Sequence, residues 1–190
     1  MKKLSIILSA FFVLTAFTVL NTTWTNDDPH SQLGFTVTHM GISDVSGTFN
    51  DFDVTVQSSK PDFSDAVFEL KAKTASIDTR VDARNKHLKS ADFFDVEKYP
   101  EIYFKSSGIK ANGKNKYKLS GDLTMHGITK PVTMDLEYRG TVENAMNKKA
   151  TAGFRLTGVV KRSNFNIGGG FPDAAVSDEV RIKADGEFVK

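Results

Sequence analysis

The amino-acid sequence predicts an all-β protein, a closed antiparallel barrel of about eight strands with one short helix-containing loop. Three observations lead there. Apolar and polar residues alternate with a period of two in segment after segment, turn-forming clusters separate those segments, and only one stretch breaks the period. Side chains point alternately to the two faces of a strand, so each segment has one apolar and one wetted face. An antiparallel sheet has that pattern, whereas a parallel sheet covered on both faces does not.

The chain opens MKKLSIILSAFFVLTAFTVLNTT, in which Lys2 and Lys3 precede an uncharged run from Leu4 to Leu20 and polar Asn21, Thr22 and Thr23 follow. This is the layout of a secretory signal peptide, assigned to residues 1–22 with an indistinct cut. The run is short for a membrane span of roughly 20 residues and is broken by Ser5, Ser9, Thr15 and Thr18, which disfavours a permanent anchor. The barrel domain is assigned to 23–190.

Within it, Leu33, Phe35, Val37 and His39 share one face. Near Phe49 and Phe52 the apolar positions change parity, which predicts a bulge or bend between Asn50 and Asp51. The next inward sets are Ala66, Phe68, Leu70 and Ala72, then Tyr117, Leu119, Gly121, Leu123 and Met125. Val132, Met134, Leu136 and Tyr138 follow, then Ala152, Phe154, Leu156, Gly158 and Val160, and last Val180, Ile182, Ala184, Gly186 and Phe188. Turns are expected at SSKPD (58–62), ANGKN (111–115), HGITKP (126–131) and ENAMNKK (143–149). The same pattern admits a two-sheet sandwich as the alternative architecture.

TRVDARNKHLKS, residues 79–90, breaks the period and predicts a short helix, with Thr79 and Asp82 in the places of a capping box. With the ADFFDVEKYP that follows, it forms the one long insertion, too aromatic to be disordered.

The inward face mixes large residues, among them Phe35, Phe68, Phe104, Phe154 and Phe188, with small ones such as Ala72, Ser106, Gly121, Ala152, Gly158, Ala184 and Gly186. In a filled barrel the small residues meet bulky partners across the core; in a hollow one they line an apolar tunnel. Alternation alone fits both. A hollow barrel would suit a long greasy ligand, since each buried methylene contributes about 0.8 kcal/mol.

Composition excludes several other classes. There is no cysteine, so no disulfide holds the fold. Without Lys2 and Lys3 the 25 basic residues fall to 23 against 23 acidic ones, and no basic stripe suggests nucleic acid. The KNKYK and NKK segments read as solvated turns. His30, His39, His87 and His126 have no metal-ligand spacing, and all but His39 lie where an imidazole commonly bonds a backbone carbonyl. His39 follows the inward face and is either a core histidine or one aimed at a ligand head group. No serine lies in a GxSxG elbow, and Asp92, Asp95 and Glu97 sit where carboxylates cap turns. IGGGF at 167–171 lacks the following Lys-Ser/Thr of a phosphate cradle and reads as a flexible loop. No catalytic residue and no metal ligand is therefore assigned.

Four ordered stretches resemble the YceI-like proteins: WTNDDPHSQLGFTVTHMGISDVSGTF, ASIDTRVDARNKHLKSADFFDVEKYPEIYFKS, GDLTMHGITKPV and VKRSNFNIGG. The resemblance runs over residues 24–190, with one departure at Asn85, where an acid is frequent. It implies an extended, lipocalin-like eight-stranded barrel with an apolar tunnel, in a periplasmic or secreted binding protein and not an enzyme. The implied partner is a polyisoprenoid, isoprenoid quinone or fatty amphiphile, and a role in stress response is among those the family suggests. No cofactor is expected other than such a bound lipid, and a homodimer or a transient membrane contact is compatible with it. On this reading Phe35, Val37, Phe49, Phe68, Phe104, Leu123, Phe154 and Leu156 line the tunnel, and Phe93 and Phe94 cover one opening. His39 and Arg162 are the polar candidates; Arg162 either meets a head group or makes an outward ion pair. The alternatives are an enzyme acting on an isoprenoid through His39 or His87 with a carboxylate, and a filled β-sandwich interaction module.

Overall fold

The computed structural model describes residues 21–190, so the leader expected over residues 1–22 lies, up to residue 20, outside the described residues. The strands are β1 (Thr22–Asn26), β2 (Gln32–His39), β3 (Ser43–Phe49), β4 (Phe52–Ser58), β5 (Val67–Lys73) and β6 (Ile77–Asp78). After helix α1 (Asp82–Lys89) come β7 (Glu101–Ala111), β8 (Lys116–Met125), β9 (Ile128–Glu143), β10 (Ala150–Lys161) and β11 (Glu179–Val189).

These segments are fewer staves than labels. β1 and β2 are halves of one stave, parted by the turn Asp28–His30; β3 and β4 are halves of the next, parted at Asn50 and Asp51; β6 prolongs β5. Each stave pairs antiparallel with its neighbour in sequence, and β11 closes the ring on both halves of the first, with Ile182 opposite Phe35 and Phe188 opposite Asn26. The result is a closed eight-stranded antiparallel barrel with a single short α-helix among the described residues, and the sandwich alternative falls. The parity change expected between Asn50 and Asp51 is the break between β3 and β4, and Leu33 lies opposite Phe49 on one side of it while Trp24 lies opposite Val56 on the other.

Three local expectations need correction. The HGITKP turn is only two residues long, because His126 (φ 50°) and Gly127 (φ 72°) both take left-handed conformations and close a tight hairpin. Ile128 to Pro131 already belong to β9, and β10 pairs with β9 only from Asp135 onward, so the proline sits in a stretch with one free edge. The KNKYK segment is half turn and half strand: Tyr117 is buried in β8 and its hydroxyl donates to the Asp62 carbonyl at 2.6 Å. Finally, Thr79 does not cap the helix, whose N-cap is Val81. Thr79 is buried two residues earlier, and its backbone N–H and hydroxyl both donate to Asn85 Oδ1, at 2.8 and 2.7 Å. Asn85 Nδ2 in turn donates to Asp78 Oδ1 at 2.9 Å, so asparagine satisfies this corner with a neutral side chain.

The up-and-down order sorts the loops between the two ends. Residues 59–66, 112–115 and 144–149 lie at one end; residues 40–42, the α1 insertion, the His126–Gly127 turn and residues 162–178 lie at the other. The first end is plugged. Phe63, 2% exposed, enters from the 59–66 loop and packs on Trp24, Tyr138 and Phe154 at ring-centroid distances of 5.4, 5.0 and 4.9 Å. The loop is held by Asp65, which accepts from the Ser58 and Ser59 hydroxyls and from backbone N–H groups of Ser59 and Lys60. The second end forms the mouth.

Candidate functional site

Two cavities lie in sequence along the barrel. The inner one, about 140 Å³, is walled by Phe68, Leu70, Phe104, Leu119, Leu123, Leu136, Phe154, Leu156 and Ala184, together with Phe35, Phe49 and Phe52. The outer one, about 500 Å³, lies in the mouth between β2, β3, α1 and the 162–178 loop. Phe35, Phe49, Met125, Val160 and Ile182 border both, so the same side chains floor one space and roof the other. The choice between filled and hollow thus resolves by height: aromatic rings close the far end, and space opens toward the mouth. Not every small inward residue leaves room, because a Cβ on Gly121 would fall 2.7 Å from the Phe104 ring and one on Gly158 would fall 2.8 Å from Met134.

The candidate residues divide between these spaces. Phe68, Phe104, Leu123, Phe154 and Leu156 border the inner cavity, Val37 and His39 the outer, and Phe35 and Phe49 both. Phe93 and Phe94 border the outer cavity from the insertion after α1, and Phe94 meets Phe49 edge-on at 5.6 Å. Phe93 stacks at 4.9 Å on Phe171, which belongs to the opposite loop, and His87 stands edge-on to both rings. His39 is exposed at the rim, so it is not a core histidine. Its bridge to Val176, with the Met40 N–H to Ala175 O bond of 3.0 Å and the Ser177 N–H to Thr38 O bond of 2.9 Å, fastens the 162–178 loop to β2.

Arg162 is only 6% exposed, and its donors are engaged by the chain itself, chiefly by backbone carbonyls, with one ion pair to exposed Asp173. Nη2 donates to Phe171 O at 2.6 Å and Val176 O at 3.0 Å, Nη1 to Gly168 O at 2.7 Å and Ile167 O at 3.2 Å, and Nε to Ser177 O at 3.2 Å. Exposed Asp173 lies 3.4 Å from Nη2. A planar fork of five N–H groups suits a ring of carbonyls, and the loop folds around it. The IGGGF segment therefore forms part of a fastened lid, with Gly168 at φ 64° and its Cα against the Phe93 ring.

The histidines also differ from expectation in detail. His126 Nδ1 lies 3.1 Å from the Phe165 carbonyl, as expected, whereas His87 pairs with Asp92 at 3.0 Å and His30 with Asp27 at 2.7 Å. The bond to Asp27, reinforced by Asp27 and Glu187 charge, holds His30 above the ordinary histidine range.

Several bordering residues carried weaker signals. Leu70, Leu119, Leu136 and Ile182 belong to inward series already visible in the alternation. Arg84, half-buried in α1, and Phe171, in the glycine-rich loop, had none. Nor did the polar recess in the wall where the first two staves are both interrupted, crossed by Asn26 Oδ1 accepting from Val54 N–H at 2.6 Å. Asp28, Asp51, Asp53 and Asp185 border it, and it shares Ser31, Gln32, Leu33, Phe49, Phe52 and Asp185 with the inner cavity.

Comparison with known proteins gives the same architecture. The chain is 35% identical over 171 residues to a UPF0312 protein of Staphylococcus aureus (strain bovine RF122 / ET3-1), covering 88% of this chain and 97% of the relative. It is 40% identical over 142 residues to a UPF0312 protein of Pseudomonas putida (strain GB-1), covering 74% and 72%. Among solved structures, BcnA of Burkholderia cenocepacia superposes with a TM-score of 0.73 at 27% identity, over 85% of this chain and 98% of that one. A polyisoprenoid binding domain from Saccharophagus degradans shares the fold at 12% identity, with a TM-score of 0.65 over 88% and 97%. The model of the YceI-like domain matches residues 24–188, and the chain belongs to that family.

Proposed function

We propose that this protein is an exported carrier that binds a long apolar chain, an isoprenoid lipid, isoprenoid quinone or fatty amphiphile, with the chain lying from the mouth into the inner cavity. The observation that carries the reading is the pair of adjoining cavities with shared carbon side chains at their junction. About 140 Å³ is the size of a cavity that takes a benzene ring, hence room for about five carbons or one isoprene unit. Burying them contributes about 4 kcal/mol before the cost of ordering the chain. A longer chain continues into the outer cavity. The fold shared with a polyisoprenoid binding domain supports the same class of ligand. The exported location rests on the leader read from residues 1–22, and the binding role, as opposed to catalysis, on the apolar character of the inner wall.

The test is organic-solvent extraction of the purified protein with mass spectrometry of the extract, alongside titration with farnesol and geranylgeraniol. Co-purified lipid, or saturable uptake that strengthens with chain length, is expected. An empty extract with no uptake of either alcohol overturns the reading.

A further inference from the structure

Resting on the reading as a chain carrier, we propose that the bound amphiphile has an anionic head group, held at the mouth and selected by Arg84. The two openings of the inner cavity differ in charge. The mouth is bordered by Arg84, Arg162, His39 and His87, with no carboxylate among the bordering residues. The wall recess is bordered by Asp28, Asp51, Asp53 and Asp185 against one histidine, His30, with no lysine or arginine. Only Asp185 of these four makes an ion pair among the described residues, with Arg155 at 2.7 Å and Arg139 at 3.5 Å. An anionic head group is repelled by the recess and attracted at the mouth, which leaves the apolar tail to point inward.

Of the two arginines, Arg162 offers charge but no free donor, for its N–H groups are bound to the lid. Arg84 offers both. Its Nε donates to the Thr79 hydroxyl and its Nη2 to the Thr79 carbonyl, each at 2.8 Å, which fixes the guanidinium in one orientation. Its Nη1 makes no hydrogen bond among the described residues, and Arg84 is one of the residues that border the cavity. Residue 85 decides how strongly that charge is felt. The Thr79 hydroxyl that accepts from Arg84 donates onward to Asn85 Oδ1, a neutral acceptor. An aspartate there would accept the same bond and place a negative charge beside Arg84. Three other carboxylates stand nearby and are already engaged: Asp78 by Asn85 Nδ2 and the Arg80 N–H, Asp92 by His87, and Asp173 by Arg162.

The experiment measures the affinities of geranylgeranyl monophosphate and geranylgeraniol, which share a tail, for the wild-type protein, Arg84→Gln and Asn85→Asp. In the wild type the phosphate should bind about tenfold more tightly than the alcohol. Both substitutions should reduce that ratio to about twofold or less, with the alcohol's affinity changing less than the phosphate's. Asn85→Asp keeps the acceptor for Thr79 but loses the donor to Asp78, so the wild-type ratio of the two affinities carries the test if either variant fails to fold. Equal binding of the two probes by the wild type, or an unchanged ratio in the folded variants, overturns the head-group assignment but leaves the carrier intact. Failure of both probes to bind overturns the carrier reading itself. Excess inorganic phosphate should not displace bound geranylgeranyl monophosphate; displacement would mark a site for free anions and also overturn the proposal.

Discussion

Arg162→Met should loosen the mouth from the inside, because methionine fills similar space but returns none of the donors. The guanidinium satisfies carbonyls of Ile167, Gly168, Phe171, Val176 and Ser177, the three shortest bonds being 2.6, 2.7 and 3.0 Å. Hydrogen bonds from a charged donor contribute about 1.5–3 kcal/mol each in net terms. They do not add here, since carbonyls released by a loosened loop regain water, and a total loss of about 3–5 kcal/mol is expected. With a urea m-value of about 2 kcal/mol/M, that loss lowers the unfolding midpoint by about 1.5–2.5 M. Amide exchange over residues 163–178 should accelerate more than exchange in β7 and β8, since the damage starts in the loop. Arg162→Lys keeps the charge but offers three donors from one nitrogen, so it should recover less than half of the loss. A loss below about 1 kcal/mol for Arg162→Met, or full recovery by lysine, would refute the claim that the planar fork organises the lid.

Other outcomes follow from single features. Gly121→Val should destabilise the barrel by about 1–3 kcal/mol in thermal or urea unfolding, because its Cβ meets both the Phe104 ring and the Lys105 carbonyl. Phe63→Ala should cost about 3–5 kcal/mol and open the plugged end, with a shift toward longer bound chains detectable in the lipid extract. Leu156→Trp should block the inner cavity, so that geranylgeraniol affinity falls about tenfold or more while the circular dichroism spectrum is retained. For Asp65, burial raises the carboxyl pKa, but hydrogen bonds from Ser58, Ser59 and Lys60 outweigh it and bring it from 3.8 to about 2. A depressed native pKa stabilises the fold fully above the unfolded value, and the contribution is lost as pH falls from about 4 toward 2. Asp65→Asn should therefore lower stability at pH 7 and flatten the decline of stability over that acid window, measured by urea unfolding at stepped pH.

Alternation made most of the barrel legible because one face of each stave must be apolar and the other wetted. It placed Phe68, Phe104, Leu123, Phe154 and Leu156 on the wall, and the parity change at Asn50 and Asp51 located the broken stave. What it left out are long-range or loop-borne effects. Phe63 comes from a Ser/Pro/Asp-rich turn, and nothing local says that its ring swings into the barrel end. Arg162 ends a strand of alternating residues, and its burial depends on carbonyls up to fifteen positions away that converge only when residues 163–178 fold back. The same holds for Phe171, whose partner Phe93 lies on another loop. Residue 79 shows the limit of motif spacing: Thr79 and Asp82 fit a capping box, but burial turned the threonine hydroxyl toward Asn85.

The order of the staves around the ring has a consequence for how the chain could be cut and rejoined. The first and last strands meet at the plugged end of the barrel, where Thr25 lies opposite Val189, and the direct β1–β11 seam has two residue pairs where β10–β11 has eleven. Met146, 96% exposed, sits in the hairpin loop at that same end. A circular permutant that joins Lys190 to Asn21 with a short Gly/Ser linker and opens the chain at Met146 would keep every ladder and both cavities, and would add a covalent link across the β1–β11 seam. The barrel can thus be read as a ring whose starting point is a matter of gene order, with the loops that form the mouth gathered at the rim that the cut does not touch.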